Sequence, residues 1–243
     1  MRSSAHRVVG IIGGMGPEAT IELMRRVIAA TPADDDQDHI HLIVESNPKI
    51  PSRIAHLVDG NGADPTPELL RIAHNLEAAG ANALAMPCNT AHCYAAAIEE
   101  AVSIPLLDMV ELTAGRLAAL RPNARVGLLA STAVHRTGLY EQALRRRGAA
   151  VVLPHRQNEL MELIKDVKRG KSGPRAAATL AEIACELAAR SEILLIACTE
   201  LPVLSVPEAG AVPVIDALDV LTQAIVEFGR DSGGIDQPGG FLA

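Results

Sequence analysis

Four cysteines, Cys88, Cys93, Cys185 and Cys198, are the side chains of this sequence with the widest reactive chemistry. Two of them share a setting. Cys88 comes just after the apolar run Ala81 to Met86 and before Asn89-Thr90-Ala91-His92, and Cys198 comes after Ile193 to Ala197 and before Thr199-Glu200. An apolar strand followed by a helical segment places the residue between them at a helix N-terminus. Backbone N–H groups there favour a thiolate and draw the thiol pKa below about 8.5. Amide, hydroxyl and carboxyl groups that directly follow a buried strand stay unsatisfied unless something occupies the space they face. Cys88 and Cys198 are therefore the candidate catalytic residues. Cys185, inside an Ala- and Leu-rich helical stretch, and Cys93, five residues beyond Cys88, read as small packed hydrophobes.

A metal site is the weaker use of the same residues. Cys88, His92, Cys93 and Cys198 supply four N/S donors in number, but His92 and Cys93 point about 100° apart on a helix, so no metal is expected. The turn Gly13-Gly14-Met15-Gly16 after the first apolar run has the look of an anion-binding helix start. It lacks both the G-x-G-x-x-G order and the lysine of a phosphate loop, so it suits a carboxylate better than a nucleotide. Arg53 sits in a loop stiffened by Pro48 and Pro51, and a rigid guanidinium suits bidentate capture of a carboxylate. The run Asp34 to His39 reads as a solvated loop, and Lys168, in Lys165-Asp166-Val167-Lys168-Arg169, as an exposed helix end.

The elements that must position these groups follow from periodicity. Val8 to Ile12, His41 to Glu45 and Ala81 to Met86 read as strands, and Glu18 to Ala30 and Pro67 to Ala79 as helices, the second ended by Gly80. Strands alternating with helices imply parallel sheets. The halves also repeat: Ile104-Pro105-Leu106-Leu107-Asp108 recurs as Val212-Pro213-Val214-Ile215-Asp216, and Met86-Pro87-Cys88-Asn89-Thr90 as Ile196-Ala197-Cys198-Thr199-Glu200. Gly10 to Gly14 has a looser counterpart in Gly127 to Ser131. The expected fold is α/β with two pseudo-symmetric lobes, each a mostly parallel sheet flanked by helices, and an active site in the cleft between them. The stretch from Gly229 to Ala243 reads as a flexible tail.

Composition narrows the function. Lys plus Arg is 22 against Asp plus Glu 29, a net charge of −7, and aromatic residues are 2% with no Trp. That leaves neither a cationic footprint nor stacking platforms for nucleic acid. The apolar runs are strand-sized, so no membrane segment is expected, and four cysteines without an export leader read as free thiols of a cytoplasmic protein.

Taken in order, Gly10-Ile11-Ile12-Gly13-Gly14-Met15-Gly16-Pro17, Asn47-Pro48 through Arg53, Met86-Pro87-Cys88-Asn89-Thr90-Ala91-His92, Cys198-Thr199-Glu200 and Val212-Pro213-Val214-Ile215-Asp216 resemble the aspartate racemase branch of the aspartate/glutamate racemase superfamily. The resemblance runs over residues 8 to 228. It implies a cofactor-independent amino-acid racemase in which Cys88 and Cys198 are the acid/base pair. It also implies a small acidic amino acid as substrate and a homodimer. Lobe boundaries then cross over, with residues 1–106 and a returning helix 216–228 in the first lobe and 107–215 in the second. Substrate contacts implied by position are Met15, Arg53, Asn89, Thr90, Thr132, Lys168, Thr199 and Glu200. The chain departs from relatives at Ser52, where aspartate is common, at Ser46, where asparagine is common, and at Val134, where threonine is common. Two other readings of the residues stand beside this one: a cysteine hydrolase with Cys88 as nucleophile and His92 as base, and a non-catalytic two-lobed binder of acidic amino acids.

Overall fold

The computed structural model describes residues 7–204 and 210–231. The first half runs β1 (Val9–Gly13), α1 (Pro17–Ala30), β2 (Leu42–Ser46), α2 (Thr66–Ala78), β3 (Ala83–Ala85), α3 (Ala95–Ala101), β4 (Leu106–Leu107) and α4 (Met109–Leu120). The second runs β5 (Arg125–Ala130), α5 (Thr132–Thr137), α6 (Leu139–Arg145), β6 (Ala150–Val152), α7 (Gln157–Lys168), α8 (Pro174–Ala188), β7 (Ile193–Ala197), β8 (Val214–Asp216) and α9 (Ala217–Arg230).

The strands form two parallel sheets of identical order, β2-β1-β3-β4 and β6-β5-β7-β8. The central strands β1 and β7 are buried along their whole length, as unbroken apolar runs covered on both faces must be. Equivalent residues do equivalent work in the two halves. The carbonyls of Pro105 and Pro213 accept from the N–H groups of Leu84 and Leu194, so each proline enters its strand from the side that needs no donor. Asp108 and Asp216 then cap the helices that follow: Asp108 Oδ1 accepts from Val110 and Glu111, and Asp216 Oδ1 from Leu218. The recurrence of Pro105 to Asp108 as Pro213 to Asp216 is thus the recurrence of one edge strand with its helix cap.

One apolar core lies between the sheets, built from Val9, Ile11 and Ala85 of one, Leu128, Ile193 and Leu195 of the other, and residues of α4, α6 and α9. Each sheet has a further core on its outer face, one with Leu69, Ile72 and Leu84, the other with Leu160, Ile183 and Leu194. Helix α9 packs on α1 as well as α4. Arg26 of α1 locks that contact, its Nη1 lying 2.5 Å from Asp216 and 2.7 Å from Asp219. Among the described residues no helix is long and apolar enough to cross a membrane.

Three expectations need correction. The tail does not begin at Gly229, because Gly229 and Arg230 complete α9 and Asp231 pairs with Arg7; the remainder of that stretch, 232–243, lies outside the described residues. Cys185 is exposed rather than packed. Its neighbours Ile183, Ala184 and Leu187 take the buried face of α8, which leaves Cys185 on the opposite side. The strand expected over Ala81 to Met86 pairs only over Ala83–Ala85, since Pro87 follows and offers no N–H. Cys93 is partly buried against the outer core of the first half, as expected of a packing residue.

The two aspartate caps differ in one respect that stability measurements expose. Asp108→Ala is expected to cost about 1 kcal/mol, the ordinary value of a lost cap. Asp216→Ala also strips the buried partner from Arg26 and is expected to cost about 3 kcal/mol in urea unfolding. Equal losses would remove the Arg26 pair from the account of how α9 is held.

Candidate active site

The cleft opens where the carboxyl ends of the central strands of both sheets release their loops. It is small, with a cavity volume of about 80 Å³. From the first half come Met15 after β1, Ser52, Arg53 and Ile54 after β2, and Cys88, Asn89 and Thr90 after β3. From the second come Ser131 after β5, Ile164 and Lys168 of α7, and Ala197, Cys198, Thr199 and Glu200 at the end of β7. Cys88 and Cys198 are each 7% exposed and line this one cleft from equivalent positions of the two sheets.

The surroundings of the two sulfurs differ. Cys198 Sγ donates to Glu200 Oε2 at 3.1 Å, and Glu200 Oε1 lies 3.2 Å from Lys168 Nζ. Burial, together with the adjacent Glu200 charge and that hydrogen bond, pushes the Cys198 thiol well above its ordinary value, against the opposing pull of Lys168. The lowered pKa expected at a helix N-terminus is therefore not found at Cys198; burial, with a neighbouring carboxylate, outweighs the backbone N–H groups. Burial would lower the Lys168 pKa, but Glu200 and the two cysteines reverse the shift and hold it protonated.

His92 stands beside Cys88 without facing its sulfur. Its Nδ1 is 2.9 Å from the Cys88 carbonyl and its Nε2 accepts from the Met109 N–H at 3.1 Å. With Nε2 an acceptor, the ring proton sits on Nδ1 and donates to that carbonyl. Burial lowers the His92 pKa despite Asp108 nearby, so the ring is neutral. It fixes the backbone of Cys88 and has no nitrogen left to act as base or metal ligand, which removes the Cys88/His92 hydrolase arrangement. Among the described residues no group of three or more His, Cys, Asp or Glu side chains is placed to hold a metal ion.

Other lining groups are preset by bonds outside the cleft. Tyr140, fully buried in α6, donates to Asn89 Oδ1 at 2.6 Å, which leaves the Asn89 amide nitrogen as a donor. Arg53 Nη1 donates to the carbonyls of Ile50 and Pro51 at 3.2 and 2.9 Å, so one side of the guanidinium is pinned by its own loop. At Gly14, φ is +91° and a Cβ would come within 2.5 Å of the Asn47 backbone, so only glycine lets the first turn pass beneath the Arg53 loop. Gly14 N–H donates to Thr20 Oγ1, which closes one amide of that turn to any ligand.

Of the residues expected at the site, Met15, Arg53, Cys88, Asn89, Thr90, Lys168, Cys198, Thr199 and Glu200 line the cleft, and Thr132 does not. Thr132 is the first residue of α5; its N–H points at Met161 Sδ and its hydroxyl accepts from Gln157. Ser131, the α5 cap, takes the place at the wall. The repeat does not carry this signal, since Ser131 is the counterpart of Gly14, whereas the counterpart of Thr132 is the cleft-lining Met15.

The family model described as Asp/Glu/Hydantoin racemase matches residues 12–225. The chain belongs to that family. It is 27% identical over 224 residues to the broad specificity amino-acid racemase RacX of Bacillus subtilis (strain 168), covering 90% of this chain and 96% of that one. Among solved structures it is similar to a Picrophilus torridus aspartate racemase, with a TM-score of 0.82 and 32% identity over 92% of this chain and 94% of the other. A Yersinia pestis protein described as a putative Asp/Glu racemase shares the fold, with a TM-score of 0.78 and 23% identity over 92% and 99% of the two chains. The chain is thus an isomerase of the amino-acid racemase type.

The Glu200 contact makes a prediction about thiol reactivity within this family member. Glu200→Gln removes the negative charge beside Cys198 while keeping a side chain of the same size. Cys198 is then expected to titrate lower and to be alkylated by iodoacetamide at pH 7 faster than in the native protein, as read by peptide mass mapping. Slower or unchanged alkylation would mean that Glu200 does not govern the thiol.

Proposed function

We propose that the protein interconverts L- and D-aspartate, or a closely related small acidic amino acid, by two-base proton transfer at Cα without pyridoxal phosphate. The observation that carries this reading is the pair of buried cysteines that line one cleft from equivalent strand ends. An α-proton is a very weak acid, and inversion needs a base on one face and an acid on the other. Burial and Glu200 favour the thiol form of Cys198, which suits it to the acid's role, and two-base inversion then assigns the base's role to Cys88, the other cysteine of the cleft. For one enantiomer, Cys88 takes the α-proton and Cys198 delivers its own to the opposite face. The opposite enantiomer is processed with the roles exchanged.

The carbanion needs fixed donors where charge develops. The Asn89 amide, freed as a donor by Tyr140, and the hydroxyls of Thr90 and Thr199 supply them in this reading. Arg53 takes the substrate side-chain carboxylate through the guanidinium side not held by its loop, and Lys168 adds positive charge from the second half. Aspartate is preferred over glutamate as the first substrate to test because the Picrophilus torridus relative is described as an aspartate racemase. Residues up to 106 with 216–228, and residues 107–215, are read as the two lobes that enclose it. The enzyme is further read as cytoplasmic, with its cysteines as free thiols, and as a homodimer; sedimentation at micromolar concentration tests the last point.

Incubation with L-aspartate in deuterated buffer is expected to give α-deuteration together with loss of optical rotation. Cys88→Ser and Cys198→Ser are each expected to lower racemisation by about 10²- to 10⁴-fold in both directions, the usual weight of general acid–base catalysis. Full turnover by either variant would remove that cysteine from the chemistry. Binding of L-aspartate with neither deuteration nor inversion would favour the non-catalytic binder.

A further inference from the structure

One turnover leaves the two sulfurs in each other's protonation state. Cys88 has gained a proton and Cys198 has lost one, so a second molecule of the same enantiomer is processed only after both have been reset. Cys198 is 7% exposed, and a buried thiolate at the wall of an occupied or narrow cleft needs a proton source. The side chains next to it form a graded path outward. Glu200, bonded to Cys198 Sγ at 3.1 Å, is 17% exposed, and Lys168, 3.2 Å from the other carboxylate oxygen, is 48% exposed. Among the described residues lining the cleft, no second carboxylate is placed to serve Cys88 in the same way. Ser52, which lines the same wall, has its hydroxyl accepting from the Ala55 N–H, and the Cys88 carbonyl rather than its sulfur is held by His92.

We propose that Glu200 and Lys168 are a proton relay that returns Cys198 to its thiol form between turnovers. The inference rests on the two-cysteine reading of the reaction. In the reset, the Lys168 ammonium gives a proton to Glu200 Oε1, and a half-turn of the carboxyl group presents that proton to the Cys198 thiolate. The neutral amine regains a proton from water, and the Cys88 thiol releases one to the emptied cleft, so the net proton count is unchanged. Glu200 touches a reacting atom. Lys168 acts through Glu200, and its half-exposed ammonium is the link to solvent.

The distinguishing variant is Lys168→Arg, which keeps the positive charge and the pairing with Glu200 but carries a guanidinium that does not give up its proton. With saturating L-aspartate its kcat is expected to fall by at least about tenfold, and by more than kcat/KM falls, because the reset and not the capture of substrate is slowed. Methylammonium added at increasing concentration is expected to restore kcat in Lys168→Arg and in Lys168→Met, while native turnover stays independent of it. Native kcat in Lys168→Arg overturns the relay. So does a loss shared equally by kcat and kcat/KM that methylammonium does not repair, since that is the pattern of a charge used only to bind or to support the fold. Cys198→Ser is measured in parallel: turnover retained there overturns the two-cysteine reading itself, whereas an inactive Cys198→Ser beside an unrepaired Lys168 variant overturns the relay alone.

Discussion

Burial is the constraint on which the cleft depends. Cys88, Asn89, His92, Cys198 and Thr199 are all buried, and in such surroundings the charged form of each titratable group is costly unless a neighbour compensates it. Protonation states at the site are therefore set by single named contacts. His92 is held neutral by burial and by two backbone partners, Cys198 is held as a thiol by burial and Glu200, and Glu200 in turn faces Lys168. The same rule orders the neutral groups. Tyr140 reaches from α6 to Asn89, so a residue of the second half decides which way an amide of the first half points. The core between the sheets makes such cross-contacts rigid, because α9 packs against β4 of one half and β7 and β8 of the other, and α4 packs on both α6 and α9.

Much of this was readable in the sequence because it repeats. A strand followed by Cys and polar residues, and an extended Pro-to-Asp segment, occur twice in one order, and each is a local unit whose structure depends on adjacent residues. The caps Asp108 and Asp216 need only the two or three residues that follow them. The misplaced features depended on phase or on distant partners. The composition of its helix suggests a packed Cys185, but burial within α8 follows the 100° step between residues, which puts Cys185 opposite Ile183 and Leu187. Thr132 and Ser131 differ by one position at a helix start, where the capping residue and the first helical residue point in different directions. The small and polar residues at the end of α9 read as a tail, yet Gly229 lies against Ile40 with no room for a Cβ. The pairing of Lys168 with Glu200 joins residues 32 positions apart, 200 − 168, and helix periodicity holds no information on it.

Ser52 bears on how the halves are balanced. The fold is symmetric in strand order and in the positions of its two thiols, but the only carboxylate among the described residues lining the cleft is Glu200. Ser52 spends its hydroxyl on the Ala55 N–H of its own loop. Among the described residues the electrostatic environment of the pair is accordingly one-sided, with the carboxylate of Glu200 bonded to Cys198 and no carboxylate of the cleft lining at Cys88.

For a racemase that one-sidedness has a defined consequence. The enantiomers have equal free energy, so the ratio of kcat/KM in the two directions is held at unity whatever the enzyme does to its thiols. Charge asymmetry cannot favour one product. It can act only on the distribution between the two protonation forms of the free enzyme, and so on the separate values of kcat and KM for each enantiomer. A carboxylate beside one sulfur stabilises one of those forms and slows escape from it. The cost falls between turnovers and not within the chemical step, which is where a half-exposed lysine on the far side of the same carboxylate has something to contribute.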